Sequence, residues 1–456
     1  PSVATVSFIA VIVVLLYVDR VSVRKLSPGL TVAFLWMFIG WSRFPSEWIN
    51  IRQAAAGVYA TSISVEQSLE GSPVDRMVFA ALVAAGAAIL AGRSVTWRRV
   101  VQHNSWFALF FALAVASALW SDYPLVTLKR FVKASGNLVV ALLILTDPDD
   151  HALGTVLRKL AIVLIPLSIL FINYYPFLGR MYHMGQPLFR GVATHKNGLG
   201  QLSFVLGTYL FWRLCSRRVV GSDNEKGMSR SITAALLFAS IYLLRKADSA
   251  TALACFLLSL GIIVSSRLPG TKKTPQLIVP GLVSLLLLIV IAQVATDLSG
   301  AVIEMLGRDP DLTSRIPMWS ALLGMVEANV VGEGFDTFWV GHRLEYIRSN
   351  IAAVSQAHNG YLEIYLNLGA VGIGVFVLGL VLGLHRLHER LSSGYDPVTV
   401  LALAYVLSVL FYSWTEAVFY GVSNLWTILL VSCLLPLRDR GLNESLKGGR
   451  SRRQLV

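Results

Sequence analysis

An all-α polytopic membrane protein, with about 12-13 transmembrane helices and one large extracytoplasmic loop, is the fold class this sequence predicts. Three observations predict it. Of 456 residues, 55% are hydrophobic and 14% are charged, and mean hydropathy is +0.64, too apolar for a soluble globule. The apolar residues come in blocks long enough, or nearly so, to cross a bilayer core. The blocks lack the period-two alternation of barrel strands, and lipid tolerates no open sheet edge, which leaves helices.

In chain order the blocks lie near 3–18, 29–44, 76–92, 105–120, 134–147, 158–175, 197–213, 231–245, 248–266, 276–296, 361–385, 397–414 and 418–437. The first has no small-residue cleavage site after it and reads as a span, not a removed signal peptide. The block 134–147 is weak and the pair within 231–266 is tight, so twelve spans is the alternative to thirteen. The chain then divides into N-terminal helices with an outer loop (1–100), a transmembrane core (101–296), a large loop (297–360), C-terminal helices (361–437) and a basic tail (438–456).

Lys and Arg set the orientation. Alternate connections hold 24 of the 39 basic residues on one side and 15 on the other, so the richer side reads as cytoplasmic. The net charge of +13 is therefore largely topology, and with no nucleic-acid motif in the short basic loops a nucleic-acid partner is not expected. Cys215, Cys255 and Cys433 are scattered and offer neither a disulfide framework nor a zinc pair.

The long connections, about 45–75, 176–196 and 297–360, fall on the outer side. Four spans separate the second from the third, so both emerge on one face. The second contains "PLFRGVATHKNGLGQ", with Arg190, His195, Lys196 and Asn197; the third contains "DLTSRIPMW", with Arg315, then "GEGFDTFW" and "AHNGYLEIYLNLG", with His358 and Asn359. A guanidinium is a planar donor suited to phosphate, so Arg190 and Arg315 can clamp a diphosphate, with Lys196 as a third cation. His358 begins an apolar helix, where free N–H groups and the positive helix end disfavour an imidazolium and leave a neutral base. Each residue also has a plainer reading: Asn359 as a helix cap, Lys196 as a snorkelling end residue, the arginines as interfacial anchors. His183 and His195 read as ordinary loop histidines. Lys129, Arg130 and Lys133, in "PLVTLKRFVK", stand on the outer face against the charge rule; they mark a carrier-binding patch or a short helix lying in the interface. "HRLHER", His385 to Arg390, fits no zinc-protease pattern, and no Walker motif is present. Gly369, Gly372 and Gly374 read as close helix packing.

Taken together, the Arg-Gly segment with "HKNGLG", the "DLTSRxxxW" and "GxGFxxFW" segments, and the closing "HNGYLE…NLG" resemble the O-antigen ligase and polysaccharide polymerase family of bacterial envelopes, nearest its exopolysaccharide polymerase branch. The resemblance runs from about the fourth span to the C-terminal end. It implies a bundle of about twelve helices in the bacterial inner membrane with the active site facing the periplasm, and glycan transfer from an undecaprenyl-diphosphate carrier to an acceptor hydroxyl without metal or other cofactor. It also implies that Arg190 and Arg315 hold the donor diphosphate, that His358 is the base, and that Asn197 and Asn359 orient the site. The expected partners are the lipid-linked oligosaccharide and membrane lipid, with chain-length regulator or export proteins as further candidates. One departure is Ser314, where the pattern has glycine.

The expected reaction is polymerisation of exopolysaccharide repeats. The alternatives are a ligase passing glycan to lipid A core or another acceptor, and a non-catalytic transporter of the same lipid-linked glycan. A lipid diphosphate is already a good leaving group, so charge neutralisation matters more than a general acid. No carboxylate pair stands out for a covalent intermediate, so inversion in one displacement is expected. Few charges lie mid-span and the polar motifs gather on one face, which disfavours transport.

Overall fold

The computed structural model describes residues 1–22, 26–50, 72–149, 151–183, 185–216, 228–282, 284, 288, 311–352 and 354–434. Its main helices are α1 (Ser2–Ser22), α2 (Pro28–Trp41), α3 (Pro73–Ala91), α4 (Ser105–Ala116), α5 (Pro124–Leu145), α6 (Ala152–Tyr174), α7 (Lys196–Ser216), α8 (Arg230–Ala247), α9 (Ala250–Ser265), α10 (Asp311–Leu323), α11 (Gly341–Asn350), α12 (Gly360–Ser392), α13 (Pro397–Tyr412) and α14 (Asn424–Leu434). Twelve of the thirteen apolar blocks contain one of these helices; the tenth, 276–296, lies mostly outside the described residues, as does the tail. Proline in the first turn starts α2, α3, α5 and α13, where its fixed φ fits and its missing N–H is not needed. Ser27, Ser72, Ser229, Ser249, Asn359 and Asp396 cap helices with side-chain oxygens.

Helices α1, α3, α6 and α12 contain spans long and apolar enough to cross a membrane, and α1 turns Val3, Val6, Ile9 and Val13 outward. Such an apolar exterior around a packed core is a lipid-facing surface, so the chain is an all-α polytopic membrane protein. The tight pair within 231–266 is two helices, because Asp248 takes a left-handed turn (φ 47°) and Ser249 caps the second. The weak block 134–147 belongs to a longer helix: α5 starts at Pro124, so Lys129, Arg130 and Lys133 stand on its first turns and not on a separate interfacial helix. Among the described residues one small hairpin accompanies the helices, in the second long connection: β1 (Arg180–His183) pairs antiparallel with β2 (Gln186–Phe189).

Contacts between connections test the alternation of spans. On one face Ser27 donates to Asp147 at 2.5 Å, Arg93 pairs with the same Asp147 at 2.9 Å, and the indole of Trp212 donates to the Pro397 carbonyl at 2.7 Å. On the other, Arg43 donates to the Leu178 carbonyl at 2.6 Å, Ser121 meets Thr337 at 3.1 Å, and Asn197 donates to Glu416 at 2.7 Å. Every pair joins connections of the same parity. Lys272 lies over the Tyr395 ring (5.9 Å) on the first face, whereas Arg315 reaches Thr415 on the second.

Residues 311–352 of the third long connection are folded. Helices α10 and α11 pack around a small apolar cluster that includes Leu322, Phe338, Leu344 and Ile347. Ser314 lies in α10, a conformation that needs no glycine. The loop docks onto a break in α12. Gly369 takes φ 64°, and the freed N–H groups of Ala370 and Val371 donate to the carbonyls of Asn329 and Val330, both at 3.0 Å. In return Glu333 N and Gly334 N donate to the carbonyls of Leu366 and Asn367 at 3.1 and 3.0 Å. A Cβ on Gly369 would strike the backbone of Val330. Gly369 therefore serves close backbone approach, while Gly374 would meet nothing within 4 Å; helix packing alone does not explain the glycines of this run.

Candidate active site

Four segments distant in sequence close on the turn that follows α13, residues 413–416. The start of α7 brings Asn197, whose amide donates to Glu416 Oε1 at 2.7 Å. The start of α12 brings His358, held at φ 50°, with Nδ1 at 3.3 Å from Glu416 Oε2 and 3.5 Å from Gln356 Nε2. From α10, Arg315 donates through Nη1 to the Thr415 carbonyl at 2.7 Å. From the start of α9, the Thr251 hydroxyl meets that of Thr415 at 2.9 Å. The turn is fixed to the helix behind it, since Gly360 N donates to the Ser413 carbonyl at 2.7 Å.

Local structure explains how the side chains are aimed. Asn359 is the N-cap of α12, its Oδ1 accepting from Tyr361 N and Leu362 N at 3.0 and 3.1 Å, so its plainer reading describes what it does. That cap leaves His358 one residue outside the helix, turned toward Glu416. At α7, His195 Nδ1 accepts from Gly198 N at 3.1 Å, and Lys196 is the first helical residue. His195 opens onto a pocket yet is hemmed in by protein, and this desolvation lowers its pKa; Glu416 pulls it up and His358 pushes it down.

Arg190 sits elsewhere on the same face. Its Nε and Nη2 donate to the carbonyls of Leu178 and Phe177 at 3.0 and 3.1 Å. Arg43 shares the Leu178 carbonyl. Burial lowers the pKa of both guanidiniums, that of Arg43 to about 10 with Arg190 adding repulsion, and Glu47 counters both. Burial in turn raises the carboxyl of Glu47. Thus Arg190 and Arg315 are each tied to backbone carbonyls, one in the 176–196 connection and one at the Glu416 turn.

Beside the turn lies a pocket of about 820 Å³. His195, Gln356, Tyr412 and Glu416 line one part of it, and Arg76, Lys129, Arg130, Lys133, Asp75 and Asp336 line another. Burial raises the pKa of Asp336, against the pull of Arg130 and Lys133. Arg130 pairs with Asp336 at 3.7 Å and also donates to its carbonyl. Among the described residues no group of three or more His, Cys, Asp or Glu could hold a metal.

Sequence reasoning missed Glu416, the hub of the site. One signal was available: it is the only charged residue between Asp396 and Arg438. It also set His195 aside, although the structure puts that ring on the pocket wall near His358 and Glu416. No curated protein matches the chain. Residues 227–377, about a third of it, match the family model described as O-antigen ligase, a span that contains Arg315, His358 and the helix break at Gly369. Over residues 227–377, within its polytopic helical bundle and with the 311–352 segment docked inside that span, the chain is similar to the O-antigen ligase family.

Proposed function

We propose that this protein is a periplasm-facing inner-membrane glycosyltransferase that polymerises exopolysaccharide repeats, moving glycan from an undecaprenyl-diphosphate donor to an acceptor hydroxyl. The observation that carries the reading is the convergence of Asn197, Arg315 and His358 on the Glu416 turn. With Nδ1–H directed at Glu416, the Nε2 lone pair of His358 takes the proton of the acceptor hydroxyl. The acceptor oxygen attacks the anomeric carbon, the bond from that carbon to the diphosphate oxygen breaks, and the electron pair leaves with the diphosphate. Arg190, Arg315 and Lys196 neutralise that charge; Arg190 commits Nε and Nη2 to carbonyls and keeps further N–H donors. Asn197 and Asn359 hold the two helix starts in register.

The test is incubation of purified protein with a lipid-linked repeat unit, read as a glycan ladder on gels. Wild type should build the ladder, and His358→Ala should lose about a hundredfold to ten-thousandfold in rate. Arg315→Ala should lose about a hundredfold or more. Full activity in both variants would remove the assignment. The family description favours a second reading, a ligase, and donor consumption only when lipid A core is supplied would decide for it.

A further inference from the structure

We propose that the pocket beside the Glu416 turn is the acceptor subsite, and that Lys129 and Lys133 of α5 bind anionic oxygens on a lipid-linked acceptor glycan; this rests on the glycosyl-transfer reading. The residues assigned to the donor diphosphate, Arg190, Arg315 and Lys196, are not on the pocket wall, so its cations are an additional set. A transfer between two lipid-linked molecules needs a second place that is both charged and next to the bilayer.

The wall has that composition. Lys133 Nζ stands 4.7 and 5.0 Å from the ring centres of Phe44 and Phe79, which fixes the ammonium at the pocket's side. The nearby acids are already engaged: Asp75 accepts from Ser46 N and Oγ at 2.9 and 2.7 Å, and Asp336 pairs with Arg130. Lys129 is exposed and makes no ion pair among the described residues. Val126 and Val132, on the same helix, line the pocket too, and Val132 is 49% exposed. A cationic wall edged by exposed apolar side chains suits a head group whose tail stays in lipid. At about 820 Å³ the pocket is within the usual range for small-molecule sites. The three basic residues also break the charge bias of their face, a cost that membrane helices rarely carry without a ligand.

Phosphate of the lipid linkage and carboxylate of an acidic sugar share this chemistry, and binding separates them. The full chain, carrying Arg190→Ala and Arg315→Ala to remove the donor diphosphate site, is placed in phosphatidylcholine nanodiscs and titrated by calorimetry with inorganic pyrophosphate and, separately, with a uronic-acid trisaccharide. With both lysines intact this chain should bind at least one: pyrophosphate alone assigns the lipid linkage, the trisaccharide alone assigns the sugar, and both support a general anion subsite. Affinity should fall about tenfold for each lysine changed to glutamine, as for loss of one charge-assisted hydrogen bond. Lys129→Gln alone removes an exposed side chain and keeps the test valid if the Lys129→Gln/Lys133→Gln double variant misfolds. His358→Ala should bind as wild type does, so loss of chemistry and loss of this subsite are read separately. Three outcomes overturn the proposal: no binding of either probe, unchanged binding in the lysine variants, or abolition of binding when phosphatidylglycerol is added to the nanodisc, which would make the pocket a bilayer-lipid site.

Discussion

At the scale of single residues, Glu416 holds two side chains that come from helix starts far apart in the chain, Asn197 at 2.7 Å and His358 at 3.3 Å. Glu416→Gln keeps the size and removes the charge, so His358 loses the group that fixes its ring. Activity should drop about a hundredfold, the usual penalty for a misplaced catalytic group, while Asn197→Ala drops it less. Glycan-ladder rates for both variants check this, and an unchanged rate in Glu416→Gln would make the carboxylate a mere packing group. His195 gives a pH prediction. Its folded pKa is lowered, so the unfolded chain binds the proton more readily, and stability present above the unfolded value of about 6.5 is lost as pH falls through and below it. Thermal unfolding between pH 7.5 and pH 5 should therefore show a decline that is smaller in His195→Gln. Arg190, Arg315 and His358 could be singled out as candidates in the sequence because polar residues beside long apolar blocks are conspicuous. Glu416 could not be given a role, because a lone acid between two spans looks like any turn residue until its partners are known.

At the scale of elements, the position of each span could be read from its apolar block, yet α10 and α11 in the 297–360 connection and the break inside α12 could not. Leu368 and Ala370 flank Gly369, and apart from Asn367 the hydrophobic run continues through the unwound turn. What the sequence lacked was the loop backbone at Asn329–Val331 that satisfies the opened hydrogen bonds. Gly369→Ala would force a side chain into φ 64° and against Val330. The cost should be about 1–3 kcal/mol, seen as a lower melting temperature and faster proteolysis within 311–352. The early start of α5 escaped for the opposite reason: "PLVTLKRFVK" is too charged to read as part of a span, although Pro124 opens a helix there.

At the scale of the whole molecule, the parity of hydrogen-bonded connections divides the chain's loops between two faces without reference to charge counts. Tyr346→Cys and Tyr182→Cys should react with an impermeant thiol reagent from one side of the membrane and Lys272→Cys from the other, in a background with Cys215, Cys255 and Cys433 replaced by alanine. Labelling of all three from one side would break the alternation. The residue pattern assigns loops to faces because the number of crossings, unlike the packing between them, is written in the apolar blocks themselves.

Glu416 also has a consequence for biogenesis. It follows Asn197, Arg315 and His358 along the chain, and its turn is shaped by α13 and α14. During synthesis its partners enter the membrane first and wait with no carboxylate between them. The cluster is thus assembled only when this late helical hairpin inserts, so a ribosome-bound intermediate holds Asn197, Arg315 and His358 without the carboxylate that joins them.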